Sequence, residues 1–125
     1  MAKQSLISIV DDDQSFRDSM RRLVKSLGYA GAVFGSAAEF LNSPKLAATD
    51  CLVADIHMPE MSGLELFRHL VKMKQGIPTI LVTAWPDDSV QEQMLREGVE
   101  CYLRKPLEEA LLIGCLTSAV ARNAD

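Results

Sequence analysis

Five short apolar runs alternate with segments in which apolar residues recur every three or four positions. The runs are Leu6–Val10, Ala30–Phe34, Cys51–Asp55, Pro78–Thr83 and Val99–Leu103. Their length and β-branched content predict strands, most of them buried. The first intervening segment places Phe16, Met20, Leu23, Val24 and Leu27 at helical spacing, with Gly28 as its stop and Asp12 or Asp13 as its cap. Ser36 and Glu39 form a capping-box pattern that opens a second helix, and Pro44 follows its end. A loop with Pro59 and Gly63 leads into a third helix, where Leu64, Phe67, Leu70 and Val71 share a face. Asp87 or Asp88 caps a fourth, which Gly98 terminates. A fifth begins at or just after Pro106, a residue tolerated in a first helical turn.

Strands that alternate with helices predict an α/β fold with a parallel sheet covered on both faces. Right-handed crossovers restrict the topology to doubly wound forms, whose ligands bind at the carboxyl edge of the sheet. The residues that end the strands therefore matter most. The first run ends on Asp11, Asp12 and Asp13, the third on Asp55, and the fourth on Thr83. The fifth is followed, one residue later, by Lys105 and Pro106. On a shared edge, several carboxylates, a hydroxyl and an ammonium would converge on one crevice.

Composition narrows the class. With 125 residues the chain is read as one domain, residues 1–125. It is 48% hydrophobic and 24% charged, as in soluble globular proteins. A net charge of −4 argues against direct nucleic-acid binding. No apolar stretch approaches the roughly 18 residues of a membrane span, and the amino terminus does not read as a secretory signal. Cytoplasmic localisation is expected. Cys51, Cys101 and Cys115 lack metal-ligand spacing and are read as reduced core thiols.

Each strand-end residue has an ordinary explanation when taken alone. Acids after a strand serve as caps, a strand-end threonine reflects β-propensity, and a lysine is usually a surface residue. Their combination is more specific. Two carboxylates 4 Å apart repel by about 4 kcal/mol at an effective dielectric near 20, so Asp11, Asp12 and Asp55 together call for a counter-charge. Magnesium fits, because it prefers oxygen ligands and often sits beside a phosphate. Asp55 can then act as a nucleophile on phosphorus, while Lys105 and Thr83 offer a charge and a hydroxyl to phosphoryl oxygens. Phosphoryl transfer relies mainly on positioning and electrostatics, so this short list suffices.

These motifs carry a resemblance to a family. The acid pair Asp11–Asp12, the stretch from Asp55 through His57, Met58, Pro59, Glu60, Met61 and Ser62 to Gly63, the Thr83–Ala84 pair and Lys105–Pro106 resemble the receiver domain of two-component response regulators. The resemblance covers essentially the whole chain and looks most like the FixJ-type subgroup. It implies a flavodoxin-like five-stranded parallel sheet of order 2-1-3-4-5 with five helices. It implies that Asp55 accepts a phosphoryl group from a sensor histidine kinase in a magnesium-dependent reaction and loses it slowly. Such a protein is not a conventional enzyme, yet it catalyses its own phosphorylation and dephosphorylation. Asp12 and Asp55 would ligate magnesium directly, Asp11 mainly through water, and His57 through its backbone carbonyl. Lys105, Thr83 and the backbone N–H of Ala84 would contact the phosphoryl oxygens. Tyr102 would be the aromatic switch that follows Thr83, and the Lys105–Pro106 bond is one commonly cis in the family.

Other features bear on output. Trp85, two residues after Thr83, is placed to shield an acyl phosphate from water or to pack on the loop or a partner. Leu111, Leu112, Ile113, Cys115, Leu116, Ala119 and Val120 wrap much of the last helix. A helix apolar on two sides is usually buried on two sides, which fits a homodimer through helix 4, strand 5 and helix 5; the plainer alternative leaves Leu112 or Leu116 exposed. FixJ-like regulators usually carry a DNA-binding effector domain, which this chain does not supply. An aspartate-nucleophile phosphatase would want a second aspartate where His57 stands. A dinucleotide-binding domain would want glycines where the acids follow the first strand. A receiver-like interaction module that works without phosphorylation is the remaining alternative.

Overall fold

The computed structural model describes residues 4–124. Five parallel strands form one sheet: β1 (Leu6–Val10), β2 (Ala30–Phe34), β3 (Cys51–Asp55), β4 (Thr79–Thr83) and β5 (Cys101–Arg104). Their order is β2-β1-β3-β4-β5, as expected, and β2 and β5 form the edges. Five helices connect or follow them: α1 (Gln14–Ser26), α2 (Ala37–Leu41), α3 (Gly63–Lys72), α4 (Asp88–Glu97) and α5 (Glu109–Ala124).

Side-chain alternation along the strands divides the core in two. Val10, Leu52, Ala54 and Leu81 face one apolar layer with Phe40, Leu66, Leu70 and Met94. Ile7, Ile9, Val53, Ile80 and Val82 face the other with Met20, Val24, Leu112 and Leu116. Every residue of β3 and β4 is buried, which explains why these strands read as continuous apolar runs. Helix starts follow the polar signals. Asp13 accepts the Ser15 N–H, Asp87 accepts those of Ser89 and Val90, and Ser62 with Glu65 closes a reciprocal capping box. Gly28 and Gly98 take positive φ at the ends of α1 and α4, where other L-residues would be strained.

Several expectations are corrected. β4 starts at Thr79 rather than Pro78, since proline has no N–H for the ladder; the Pro78 carbonyl still accepts from Leu52 N–H. β5 starts at Cys101 rather than Val99, whose N–H bonds back to Met94 at the end of α4. α5 begins at Glu109, beyond the cis Lys105–Pro106 bond. α2 is a short helix followed by an unforeseen 3₁₀ turn, Pro44–Ala48. Its Ser36 accepts from Glu39 N–H as expected, but the Glu39 carboxylate takes the Gly35 N–H, so the capping box is only half formed. On α3 the core positions are Leu66, Phe67 and Leu70, and Val71 is 55% exposed. On α5, Leu112 and Leu116 are fully buried, so neither is the exposed position of the plainer alternative.

The cysteine expectation is also overturned in part. Cys101 on β5 and Cys115 on α5 are joined by a disulfide, with Cα atoms 6.3 Å apart. The edge strand and the last helix lie side by side, which brings together two cysteines that no metal-type spacing connects. Cys51 is free and buried in the central strand, where burial pushes its thiol up to about 12. Protein purified without reductant should therefore show a single titratable thiol after denaturation, that of Cys51. Closing a loop of this size stabilises a domain by about 3 kcal/mol. Dithiothreitol should thus lower the Tm of the wild type but not of Cys101→Ser; three titratable thiols in the untreated protein would refute the pairing.

Candidate functional site

Parallel pairing brings the acids together. Val10 pairs with Ala54 across β1 and β3, so Asp11 and Asp55, the next residues, emerge side by side at the carboxyl edge. Asp11 is fully buried and Asp55 nearly so. Carboxylate oxygens of Asp11, Asp12 and Asp55 all lie within 4.8 Å of one another. Asp12 is exposed and forms the outer wall of the group.

Lys105 supplies the counter-charge. Its Nζ is 2.8 Å from Asp11 Oδ2 and 3.4 Å from Asp55 Oδ2, across sequence separations of 94 and 50 residues. The Lys105 backbone N–H donates to the Thr83 carbonyl, so β4 anchors the lysine at its base. Asp55 Oδ1 also accepts the His57 N–H at 3.3 Å. Even so, burial raises the Asp55 pKa above the usual carboxylate range, and the charge of Asp11 adds to this; Lys105 and the His57 N–H offset only part. Burial alone would lower the Lys105 pKa. Its hydrogen bond to Asp11 and the charges of Asp11 and Asp55 outweigh that and leave the ammonium above its ordinary value. Both shifts express one fact: two carboxylates share one cation in a poorly hydrated crevice.

The remaining expected residues border this cluster. Thr83 ends β4 beside the strand that carries Asp55, and it is buried. Its Oγ1 accepts the Trp85 N–H at 2.9 Å, across the exposed Ala84. Tyr102 is half-buried against the first core layer, and its hydroxyl accepts the Asp87 N–H at 3.2 Å. Thr83 and Tyr102 thus hold two backbone N–H groups of one loop. The His57 side chain is exposed, as is Trp85 at 73%.

Three contributors escaped the sequence reading. The Lys105 ammonium lies over the Phe16 ring, 4.1 Å from its centroid. Arg17 donates from its guanidinium to the Asp11 carbonyl at 2.8 Å. Gly63 begins α3 so close to β3 that any Cβ there would run into the Asp55 carbonyl. Phe16 carries only the helical-periodicity signal of an apolar helix face, while Gly63 stands within the motif that runs on from Asp55. No signal marked Arg17 among the thirteen basic residues. The larger grooves lie elsewhere, including one of about 530 Å³ lined by Leu41, Asn42, Pro59, Met61 and Met73.

A doubly wound parallel sheet with acids and a lysine gathered at its carboxyl edge places the chain among α/β proteins whose ligands bind at that edge. Residues 7–117 match the response regulator receiver domain. The chain is 34% identical over 118 residues to response regulator protein TodT of Pseudomonas putida, covering 94% of this chain and 52% of TodT. It is 32% identical over 123 residues to the transcriptional regulatory protein FixJ of Rhizobium meliloti, covering 95% and 60% respectively. The structure of response regulator StyR superposes with a TM-score of 0.89 at 33% identity, over 98% of this chain and 62% of StyR. The chain belongs to the response regulator receiver family of two-component systems. It spans about half the length of the first curated relatives it matches.

The raised pKa of Asp55 has a definite sign in stability. A carboxyl that binds its proton more tightly in the folded state stabilises the fold below its unfolded pKa, and that contribution is lost as pH rises through the folded value. In chelator-treated protein, Asp55→Asn should therefore be more stable than the wild type at pH 7, by ~1 kcal/mol or about 4 °C in Tm. The difference should shrink as pH falls toward 4. Thermal melts of both proteins across that range check this; a destabilised variant at pH 7 would contradict it.

Proposed function

We propose that this chain is a phosphoryl-accepting switch in which Asp55 is the acceptor. The observation that carries the reading is the meeting of Asp11, Asp12, Asp55 and Lys105 at one sheet edge in a receiver fold. One Asp55 carboxylate oxygen attacks phosphorus, and the bond from phosphorus to the donor atom breaks. For a kinase phosphohistidine the leaving group is an imidazole nitrogen, which keeps the bonding electron pair and takes a proton. The product is an acyl phosphate. Lys105 remains beside the reacting oxygens and offsets their charge. Thr83 and the Ala84 N–H stand on the neighbouring strand end, suited to the other phosphoryl oxygens.

The donor set of hard carboxylate oxygens fits magnesium, with Asp12 and Asp55 as direct ligands, Asp11 acting mainly through water and the His57 carbonyl completing the protein's share. Bound there, magnesium would neutralise the acids and screen them from an incoming phosphoryl group. The switching step then follows from hydrogen-bond competition. Thr83 Oγ1 currently accepts from Trp85 N–H, so turning it toward a phosphoryl group would release one anchor of the 84–87 loop. Tyr102 holds the other anchor and moves with it. The face built from α4, β5 and α5, where Leu111 is exposed near Tyr102 and Leu95 is exposed on α4, is the output surface in this reading. A sensor histidine kinase is the donor, a second copy meets the output face, and an effector domain outside this chain receives the signal. The cytoplasm is where such a relay operates.

Incubation with magnesium and acetyl phosphate should give a single phosphoryl adduct by intact mass, absent in Asp55→Asn and abolished by chelator. A wild type that forms no adduct would favour the phosphorylation-independent module. Sedimentation with beryllofluoride, a phosphoryl mimic, should show a concentration-dependent dimer that Leu111→Glu disrupts; a monomer in both states would remove the dimer from the scheme.

A further inference from the structure

We propose that Phe16 is a positioning residue for phosphoryl transfer, its ring holding the Lys105 ammonium in line with Asp55. The inference rests on the acceptor role proposed above for Asp55. The Lys105 ammonium makes three contacts. Two carboxylates meet it, at 2.8 Å for Asp11 and 3.4 Å for Asp55, and an aromatic face meets it at 4.1 Å. That last distance is well inside the roughly 6 Å range of a cation–π contact. Lysine carries its charge on a flexible four-carbon stem, so a rigid third wall restricts where the charge can go.

The same ring borders the space open to the lysine. A groove of about 260 Å³ opens between α1 and α5, lined by Phe16, Met20, Leu23, Lys105, Leu107 and Leu112. Phe16 and Lys105 line it side by side, and the ring packs against the second core layer. Its placement is tied to the acids by the chain itself. Asp13 caps α1, the Arg17 N–H donates to the Asp13 carbonyl, and the Arg17 guanidinium donates to the Asp11 carbonyl. The ring therefore moves with the acidic loop rather than independently of it.

A cation–π contact has little directional demand within the plane of the ring. The ammonium can shift from Asp11 toward an oxygen carried by Asp55 while keeping the ring beneath it. A leucine at this position would fill much of the same space and bury the same face of α1, but it has no quadrupole to hold a cation. Phe16→Leu against Phe16→Tyr thus separates positioning from packing.

The test uses the full chain with magnesium and acetyl phosphate, following adduct formation by intact mass. Phe16→Leu should lower the rate constant by about 5-fold, the scale of one partly desolvated cation–π contact. Phe16→Tyr should stay within about twofold of wild type, and the magnesium midpoint should move by less than about twofold in both. In a Lys105→Met background, Phe16→Leu should have no further effect, because the ring acts through the ammonium. Beryllofluoride binding, read by the fluorescence of the single tryptophan, Trp85, supplies the same cycle where adduct formation becomes too slow to follow. Equal slowing with and without the lysine, failure of tyrosine to restore the rate, or a Phe16→Leu rate equal to wild type would each overturn the inference. Absence of any adduct on wild type would instead sink the acceptor role, and this inference with it.

Discussion

One ammonium shared by two carboxylates is the constraint on which the site depends. Asp11 and Asp55 stand on adjacent strands because a parallel register leaves them no other place. Their charges are tolerable there only with a cation between them. Lys105 reaches that place from beyond β5, two strands away from β3, held at its base by Thr83. The site thus draws on β1, β3, β4 and β5 at once. Removing the lysine would leave buried like charges; removing one acid would relax the remaining pair. The crevice concentrates like charge that a single ammonium offsets only in part.

The loop after β4 is the mechanical counterpart of that charge cluster. Two side chains from neighbouring strands, Thr83 and Tyr102, each hold one of its backbone N–H groups. One of these anchors ends beside the acids, and the other stands on the outer face near Leu111. In the proposed switch, a change in what the threonine hydroxyl accepts or donates would be linked, through four residues of loop, to the surface of α4 and β5. Such coupling needs no long pathway through the core. It needs only that the two hydrogen bonds compete with alternatives of similar strength.

Much of this was legible in the sequence because the information is local and one-dimensional. Apolar runs that end on Asp11, Asp55 and Thr83 mark strand ends directly, and alternation with helices dictates a parallel sheet. What escaped depends on direction around a helix or register across the sheet. Val71 follows helical periodicity yet opens to solvent, since Leu66 and Leu70 take the core positions. The Cys101–Cys115 pairing requires knowing which side of β5 faces α5. Phe16 looked like any apolar helix residue, and only the folded chain brings Lys105 over its ring. Helix 5 illustrates the same limit: its apolar residues were visible, but the division into a buried stripe of Leu112, Leu116 and Ala119 and an exposed Leu111 was not.

The close approach of Gly63 to Asp55 reaches beyond local packing. The Gly63 N–H donates to the Ile56 carbonyl, the Ser62–Glu65 capping box follows at once, and there is no space for a Cβ against the strand end. Residues 56–62 are therefore a closed loop at the end of β3, shut by the hydrogen bond from Gly63 to Ile56. Insertions or deletions there would displace Asp55 itself, whereas length changes near the 3₁₀ turn before β3 would fall on the opposite edge of the sheet. The fold thus separates a segment that must keep its length from segments free to vary it. Length can change at the amino edge of the sheet without moving Asp11, Asp55 or Lys105.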